Sequence, residues 1–402
     1  MSFSRLATLA NALLGLSIFV TLAHAEVDYG GSIQIEQRYF LQDALYPNQT
    51  RTQLSASISP ELSTSVGDNA VLSFKPFARI DQRDDERSHA DIRELILAYY
   101  FERVEIRAGV GKVFWGQTES LHLVDIINQT DFIESVDAEE KLGQPMLDIR
   151  YLSDFGTLTT YIMPYFREMT FPGIDGRLRG PLLVDHDVAS YESDDEQNNL
   201  DWAVRWQHTL GNWEVGLAYF DGTSRLPDLE VIQVFEGQAP RLAPRYNLLT
   251  QASIDLLYVY DAWLLKLEAI QGEKLNETFS AAVAGFEYTL VDFFETGYNV
   301  GVLMEYQYDE RDDNPLITGQ DDLMVGARLQ FNDFNGSEIL FGFVQDLQES
   351  SSYSAVVEGS TRINQNWRLE VNGYFFSSDA PQDPVSLFRR DDHISFNLEY
   401  FF

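Results

Sequence analysis

The chain closes on His393-Ile394-Ser395-Phe396-Asn397-Leu398-Glu399-Tyr400-Phe401-Phe402. Ile394, Phe396, Leu398, Tyr400 and Phe402 fall on one face of an extended strand. Ser395, Asn397 and Glu399 fall on the other, and only Phe401 breaks the alternation. One apolar face, one polar face and a terminal aromatic are what the closing strand of a transmembrane β-barrel requires. They also resemble the C-terminal recognition strand of bacterial outer-membrane proteins, so Leu398, Tyr400 and Phe402 are the expected membrane-insertion signal. The edge strand of a soluble sandwich shows similar alternation, and the rest of the chain must decide.

Residues 1–25 carry one charged side chain, Arg5, then an apolar run from Ala12 to Leu22, then Ala23-His24-Ala25. This is the pattern of a cleaved secretory signal peptide, with residues 26–402 as the exported barrel. Nothing after it offers the unbroken run of about 18 apolar residues that a membrane-crossing helix needs. Cysteine is absent, which excludes disulfides, thiolate metal sites and thiol nucleophiles. The formal charge of −35 argues against nucleic acid as a partner. With 13% aromatic and 45% hydrophobic residues, the chain has too much to bury to be disordered.

Period-two alternation recurs along the whole exported portion. Val300, Val302, Met304, Tyr306 and Tyr308, for example, alternate with Asn299, Gly301, Leu303, Glu305 and Gln307. Eighteen such segments can be placed between residue 31 and the C-terminus, and sixteen strands would also satisfy the pattern. Short connections such as Leu210-Gly211-Asn212 alternate with long ones such as 116–144, 168–198 and 223–246. If the first strand rises from the periplasm, every long connection lies outside and the last strand descends, which is the rhythm of outer-membrane barrels. Trp202, Trp206, Trp213, Tyr258, Tyr260, Trp263, Trp367 and Tyr400 sit near strand ends, where interfacial girdles form.

In such a barrel the polar face points inward. Parity assigns Arg38, Arg79, Glu94, Glu105, Arg107, Asp148, Arg150, Arg205 and Arg328 to the lumen wall. Their signs are interleaved, so cross-strand pairs are expected. About eighteen strands enclose more space than wall side chains fill. The third outer loop, 116–144, is too apolar to sit in water, with Leu121, Leu123, Val124, Ile126, Ile127, Phe132, Ile133 and Val136. It also carries acidic groups. Folded inward, it would pack its apolar face on the wall and form a constriction from Trp115, Glu119, Asp125, Asn128, Asp131 and Glu134. Carboxylates there would favour cations. Lys112, which breaks the parity of the fifth strand, is the expected place for a bulge.

Other outer loops are acidic: 81–87, Asp185-His186-Asp187, 192–196 and 309–313. They could meet divalent cations and lipopolysaccharide, but none has calcium-loop spacing, and a solvated surface is the plainer explanation. Arg389-Arg390 could meet lipid phosphates. No H-E-x-x-H or G-x-S-x-G is present, and Gly109-Val110-Gly111-Lys112 lacks the spacing of a phosphate loop. No catalytic residue, metal site or cofactor is expected.

The stretch Val113-Phe114-Trp115-Gly116-Gln117-Thr118-Glu119, followed by Val124-Asp125-Ile126-Ile127-Asn128-Gln129-Thr130-Asp131, resembles the W-G-[QE] … D-x-x-N-x-x-D signature of a family of proteobacterial outer-membrane proteins, domain of unknown function 1302. The likeness covers about forty residues, and Gln129 stands where the family often has proline. It implies a barrel, in some relatives linked to inner-membrane exporters of lipid-like compounds. Two expectations follow. The first is a porin-like channel for small hydrophilic solutes that favours cations. The second is a non-conducting barrel serving an export or lipid-trafficking system, with the third loop as a plug. A homo-oligomer and an export partner are both compatible with this pattern. Outer-membrane lipids and the barrel-assembly machinery are expected partners in either case.

Overall fold

A computed structural model describes residues 26–134, 137–233, 239–311 and 314–402. The expected signal peptide, residues 1–25, and Val136 of the third loop lie outside the described residues. In chain order the strands are β1 (Val27–Phe40), β2 (Thr52–Val66), β3 (Ala70–Asp81), β4 (Ala90–Tyr100), β5 (Val104–Gly111), β6 (Gln144–Ser153), β7 (Gly156–Met163), β8 (Ser190–Tyr191), β9 (Asp201–Leu210) and β10 (Trp213–Thr223). They continue as β11 (Asp228–Ile232), β12 (Arg241–Tyr246), β13 (Leu248–Tyr260), β14 (Trp263–Lys274), β15 (Glu277–Leu290), β16 (Asn299–Asp309), β17 (Asp321–Gln330), β18 (Glu338–Asp346), β19 (Tyr353–Arg362), β20 (Trp367–Ser377) and β21 (His393–Phe401).

Eighteen of these form one antiparallel barrel. Each pairs with the next in sequence, apart from β8, β11 and β12, and β21 closes on β1 with Gln37 opposite Phe396 and Ile35 opposite Leu398. The expected eighteen strands are all present within a few residues of their predicted places. The exception to close agreement is the fifth, which ends at Gly111 rather than Trp115.

The alternation is realised as predicted. On β16, Val302, Met304, Tyr306 and Tyr308 face outward, while Leu303, Glu305 and Gln307 are 1–2% exposed on the lumen side. Apolar side chains that would aggregate in water form an outer belt, and backbone groups find partners across the strands, as a hydrocarbon environment demands. Both termini of the barrel lie at the end of the short turns. There Trp213 packs on Tyr258 at 4.4 Å, Trp263 on Tyr288 at 4.6 Å and Trp367 on Tyr400 at 4.9 Å, forming one aromatic girdle. Trp202 and Tyr219 sit at the opposite end.

Closure depends on Gly31. The Phe402 amide donates to the Gly31 carbonyl at 3.1 Å. Gly31 has φ +142°, and a Cβ there would meet the Ser59 carbonyl oxygen at 2.5 Å and the Phe402 ring at 3.0 Å.

Two sequence expectations are corrected. Lys112 lies beyond β5 and marks no bulge. The register shift is on β3 and β4, between Lys75 and Pro76, where Arg93 is the extra residue. Sequence parity also did not reveal a small sheet outside the barrel, formed by β11 and β12 as a hairpin with β8 parallel to β12. These strands are too short for alternation to register. Tyr191 stacks on Tyr246 at 5.6 Å and ties the two long loops around this sheet together.

Candidate functional site

The interior is built by the third outer loop, L3, which runs over residues 112–143. It leaves the wall because the β5–β6 ladder stops at Gly111 opposite Gln144. Asn128 then takes over the role of a strand. Its amide nitrogen donates to the Gly111 and Leu142 carbonyls at 2.8 and 2.9 Å, and its oxygen accepts from the Val113 amide at 2.8 Å. The Val113 amide and the Gly111 and Leu142 carbonyls therefore keep partners where the ladder ends.

L3 then packs its apolar face on one half of the barrel. Trp115, Val124, Ile126 and Ile127 are buried against Met146, Tyr161, Met163, Phe220, Ile270 and Phe279 of the wall. The lumen is aqueous, so this burial is driven by the hydrophobic effect, at about 2 kcal/mol per large side chain. Behind Trp115, Arg205 stands 4.9 Å from its ring and forms a two-point pair with Asp255, at 2.7 and 2.9 Å. Gly216 makes room for that pair, since a Cβ there would lie 2.2 Å from Asp255 Oδ2.

The tip of L3 is held by two buried carboxylates of the far wall. Glu268 on β14 accepts from the Gln117 and Thr118 amides and the Thr118 hydroxyl through Oε1, at 2.7, 3.0 and 2.7 Å, and from the Val124 amide through Oε2 at 3.2 Å. Glu305 on β16 accepts from the Glu119 and Ser120 amides at 2.8 and 2.9 Å. Glu119 itself reaches Arg328 at 2.5 Å and Lys266 at 3.5 Å. Acidic groups thus serve as anchors for backbone N–H groups, which sequence parity could place on the wall but could not pair.

The second half of L3 is held by the opposite wall. Glu134 pairs with Arg79 at 2.8 Å, and its carbonyl accepts from Arg38 at 2.9 Å. Arg38 and Arg79 both pair with the buried Glu36. Arg87 joins them, 2.6 Å from Glu36 and 3.0 Å from the Ile133 carbonyl. Sequence reading placed Arg87 in a solvated acidic loop. The only hint of its role is a cation inside an acidic run. Asp131 pairs with Arg93 at 2.5 Å and accepts from the Thr170 hydroxyl at 2.7 Å, with His89 at 3.5 Å.

These contacts set the charge states. Burial opposes ionisation of Asp131, but His89 and Arg93 outweigh it and hold its pKa down to about 2. Burial also works against the charged His122 imidazole, yet the Glu139 carboxylate 3.2 Å from Nε2 and the Glu268 carboxylate 3.8 Å from Nδ1 push it up to about 10. For Asp125 burial prevails and raises the pKa, although Lys141 lies 3.5 Å away.

The six expected constriction residues therefore divide. Trp115, Asp125, Asn128 and Asp131 are buried inside L3 or behind it. Glu134 is consumed by Arg79 and Arg38. Glu119 and Glu134 border open space, Glu134 as a charge already paired with Arg79. On the wall, Arg107 and Arg150 pair with Asp148 at 3.0 and 3.3 Å, and Arg150 lies 3.8 Å from Glu105. Glu94 stands opposite Lys75 in the β3–β4 register.

The open space lies between L3 and the wall formed by β17 to β21 and β1. It is a polar cavity of about 390 Å³. Glu119, Asp137 and Glu139 border it from L3, and Glu358, Arg368 and Tyr374 from the wall. The Tyr374 hydroxyl donates across it to Asp137 at 3.1 Å. Among the described lining residues are nine carboxylates and five arginines. The arginines are all engaged in ion pairs, so the unneutralised charge is negative.

No protein-family model and no curated protein matches the sequence. Solved structures do. OccAB3 of Acinetobacter baumannii aligns over 93% of this chain and 99% of its own, with TM-score 0.54 at 8% identity. A loop L8 deletion mutant of OmpT, an outer membrane protein of Vibrio cholerae, aligns over 94% and 99%, with TM-score 0.49 at 12% identity. A mutant of the Rh. blastica porin aligns over 94% and 100%, with TM-score 0.45 at 9% identity. The likeness to OccAB3 is one of fold.

Proposed function

We propose that this protein is an outer-membrane channel of a Gram-negative bacterium through which small hydrophilic solutes diffuse, with cations favoured over anions. The supporting observation is the charge of the space beside L3. Each wall arginine around it is paired, whereas Glu358 and Asp137 face the cavity with no ion-pair partner among the described residues. A ring of uncompensated carboxylates lowers the energy of a cation at the constriction and raises that of an anion. The apolar belt and aromatic girdle support the membrane location. The leader supports export through the general secretory route with cleavage after Ala25. Leu398, Tyr400 and Phe402 would be read by the barrel-assembly machinery, and the outer loops would lie against lipopolysaccharide.

Purified protein in planar bilayers tests this reading. Conductance steps are expected, with a reversal potential in a potassium chloride gradient that reports cation preference. Asp137→Asn combined with Glu358→Gln should move that potential toward zero. Asp131→Asn should leave the preference unchanged, because its charge is already spent on Arg93. Anion preference would sink the proposal. Steps that appear only after deletion of L3 would favour the plug of an export or lipid-trafficking system.

A further inference from the structure

Strand pairing in the barrel wall is interrupted at one level, on three neighbouring seams. Between β2 and β3, Ile58 pairs with Ala78 and Leu62 with Phe74, and the ladder is interrupted between them. The register is the same on both sides, so Pro60 stands opposite Pro76. Neither has an N–H to donate, and the seam opens. Next to it, the β3–β4 ladder shifts at Pro76, opposite Ile92. Beyond that, β4 begins pairing with β5 only at Leu95, because L3 has already turned inward at Gly111.

Where these interruptions meet, the outer face of the barrel carries an apolar recess of about 700 Å³. Ile58, Pro60, Pro76, Ile92, Val110 and Pro145 line it. Ile58 and Ile92 are 40% and 41% exposed and belong to the lipid-facing belt. Phe77 stands on the lumen side, with the Arg93 guanidinium 4.6 Å from its ring. The recess lies in the half of the wall nearer the long loops, and its polar end is formed by Asp91 and Arg167. Arg167 uses Nη1 for both the Gly143 carbonyl at 2.8 Å and Asp91 at 2.9 Å. Its Nε and Nη2 make no such contact among the described residues.

We infer that this recess binds one acyl chain of a phosphate-bearing lipid of the surrounding leaflet, with the phosphate on the open edge of Arg167. The medium outside the belt is hydrocarbon, so an apolar hollow there fills with chain rather than water. A guanidinium edge presents a fork of N–H donors that matches phosphate oxygens. Its place beside the second residue of β4 puts it at headgroup level. The site is separate from the polar cavity and does not depend on whether that cavity conducts.

The test uses the full-length folded protein and native mass spectrometry in detergent, titrated with dioleoyl phosphatidylglycerol or dioleoylglycerol. One tightly retained phosphatidylglycerol is expected, bound in preference to dioleoylglycerol. Ala78→Phe, which fills the recess from the lipid side, should weaken that first binding about tenfold, or about 1.4 kcal/mol. Ala90→Phe fills it from the neighbouring strand if the first variant does not fold. Arg167→Gln should abolish the preference for the phosphate while the diacyl portion still binds. Val302→Phe, elsewhere on the belt, should change nothing. Unchanged affinity in a folded Ala78→Phe or Ala90→Phe protein overturns the proposal. So does loss of oligomers with unchanged lipid binding, which would make the recess a contact between copies of this chain.

Discussion

Replacing Glu268 with alanine should free the tip of L3 and leave the barrel standing. Its carboxylate accepts three hydrogen bonds through Oε1 and one through Oε2, and the side chain is fully buried. A hydrogen bond to a charged group is worth about 1.5–3 kcal/mol, and deletion of the acceptor leaves the donors unpaired. Water from the lumen can replace part of the loss, so about 3 kcal/mol is expected for the tip rather than the full sum. That corresponds to roughly a hundredfold in the local opening equilibrium. Hydrogen exchange of the Gln117, Thr118 and Val124 amides reads this directly. Their protection should fall by about that factor, while amides in β14 and β15 keep theirs. Glu268→Gln keeps one oxygen acceptor but sets an NH₂ against the Val124 amide, so its effect should be intermediate. Unchanged protection at Thr118 in a folded Glu268→Ala protein would refute the anchoring role.

Three further outcomes are expected. Gly31→Ala forces a Cβ against the Ser59 carbonyl and should cost about 2 kcal/mol or more, seen as a lower midpoint for loss of the compact band on a heated gel. Phe402→Ala should reduce the fraction of chain assembled into membranes, measured by protease resistance of the barrel, because it removes the ring that lies beside Gly31 at the closing seam, while the backbone bond to Gly31 stays. The hold on L3 should also depend on pH at both extremes. His122 has its folded pKa raised from 6.5 to about 10, so its contribution is complete below pH 6.5 and is lost as pH rises toward 10. Asp131 has its folded pKa lowered from 3.8 to about 2, so its contribution is complete above 3.8 and is lost as pH falls toward 2. Exchange at L3 should rise in both windows, and His122→Ala should remove the alkaline rise only.

The contrast between Glu305 and Asp131 shows how far sequence reading reaches. Glu305 is assigned to the lumen by its neighbours alone, since Met304 and Tyr306 on either side are apolar. That it accepts from the Glu119 and Ser120 amides depends on a loop 185 residues away in sequence. Asp131 reads as a free carboxylate in an acidic loop. Only the approach of Arg93, placed inside by a bulge, shows that its charge is spent. The bulge has no reliable local mark, because Pro76 acts through its partner strand.

Sequence by itself determined the class of fold, a strand count of eighteen or sixteen, which end carries the long loops and which face of each strand meets lipid. Those properties follow from period-two chemistry among adjacent residues, repeated along the whole exported portion. Tertiary structure decided which charges remain unpaired, how L3 divides the lumen into a packed half and a polar half, and where the wall opens at Pro60 and Pro76. Those depend on strands brought together by closure of the barrel, and the energy of a charge or an unpaired amide is set by the partner it meets there.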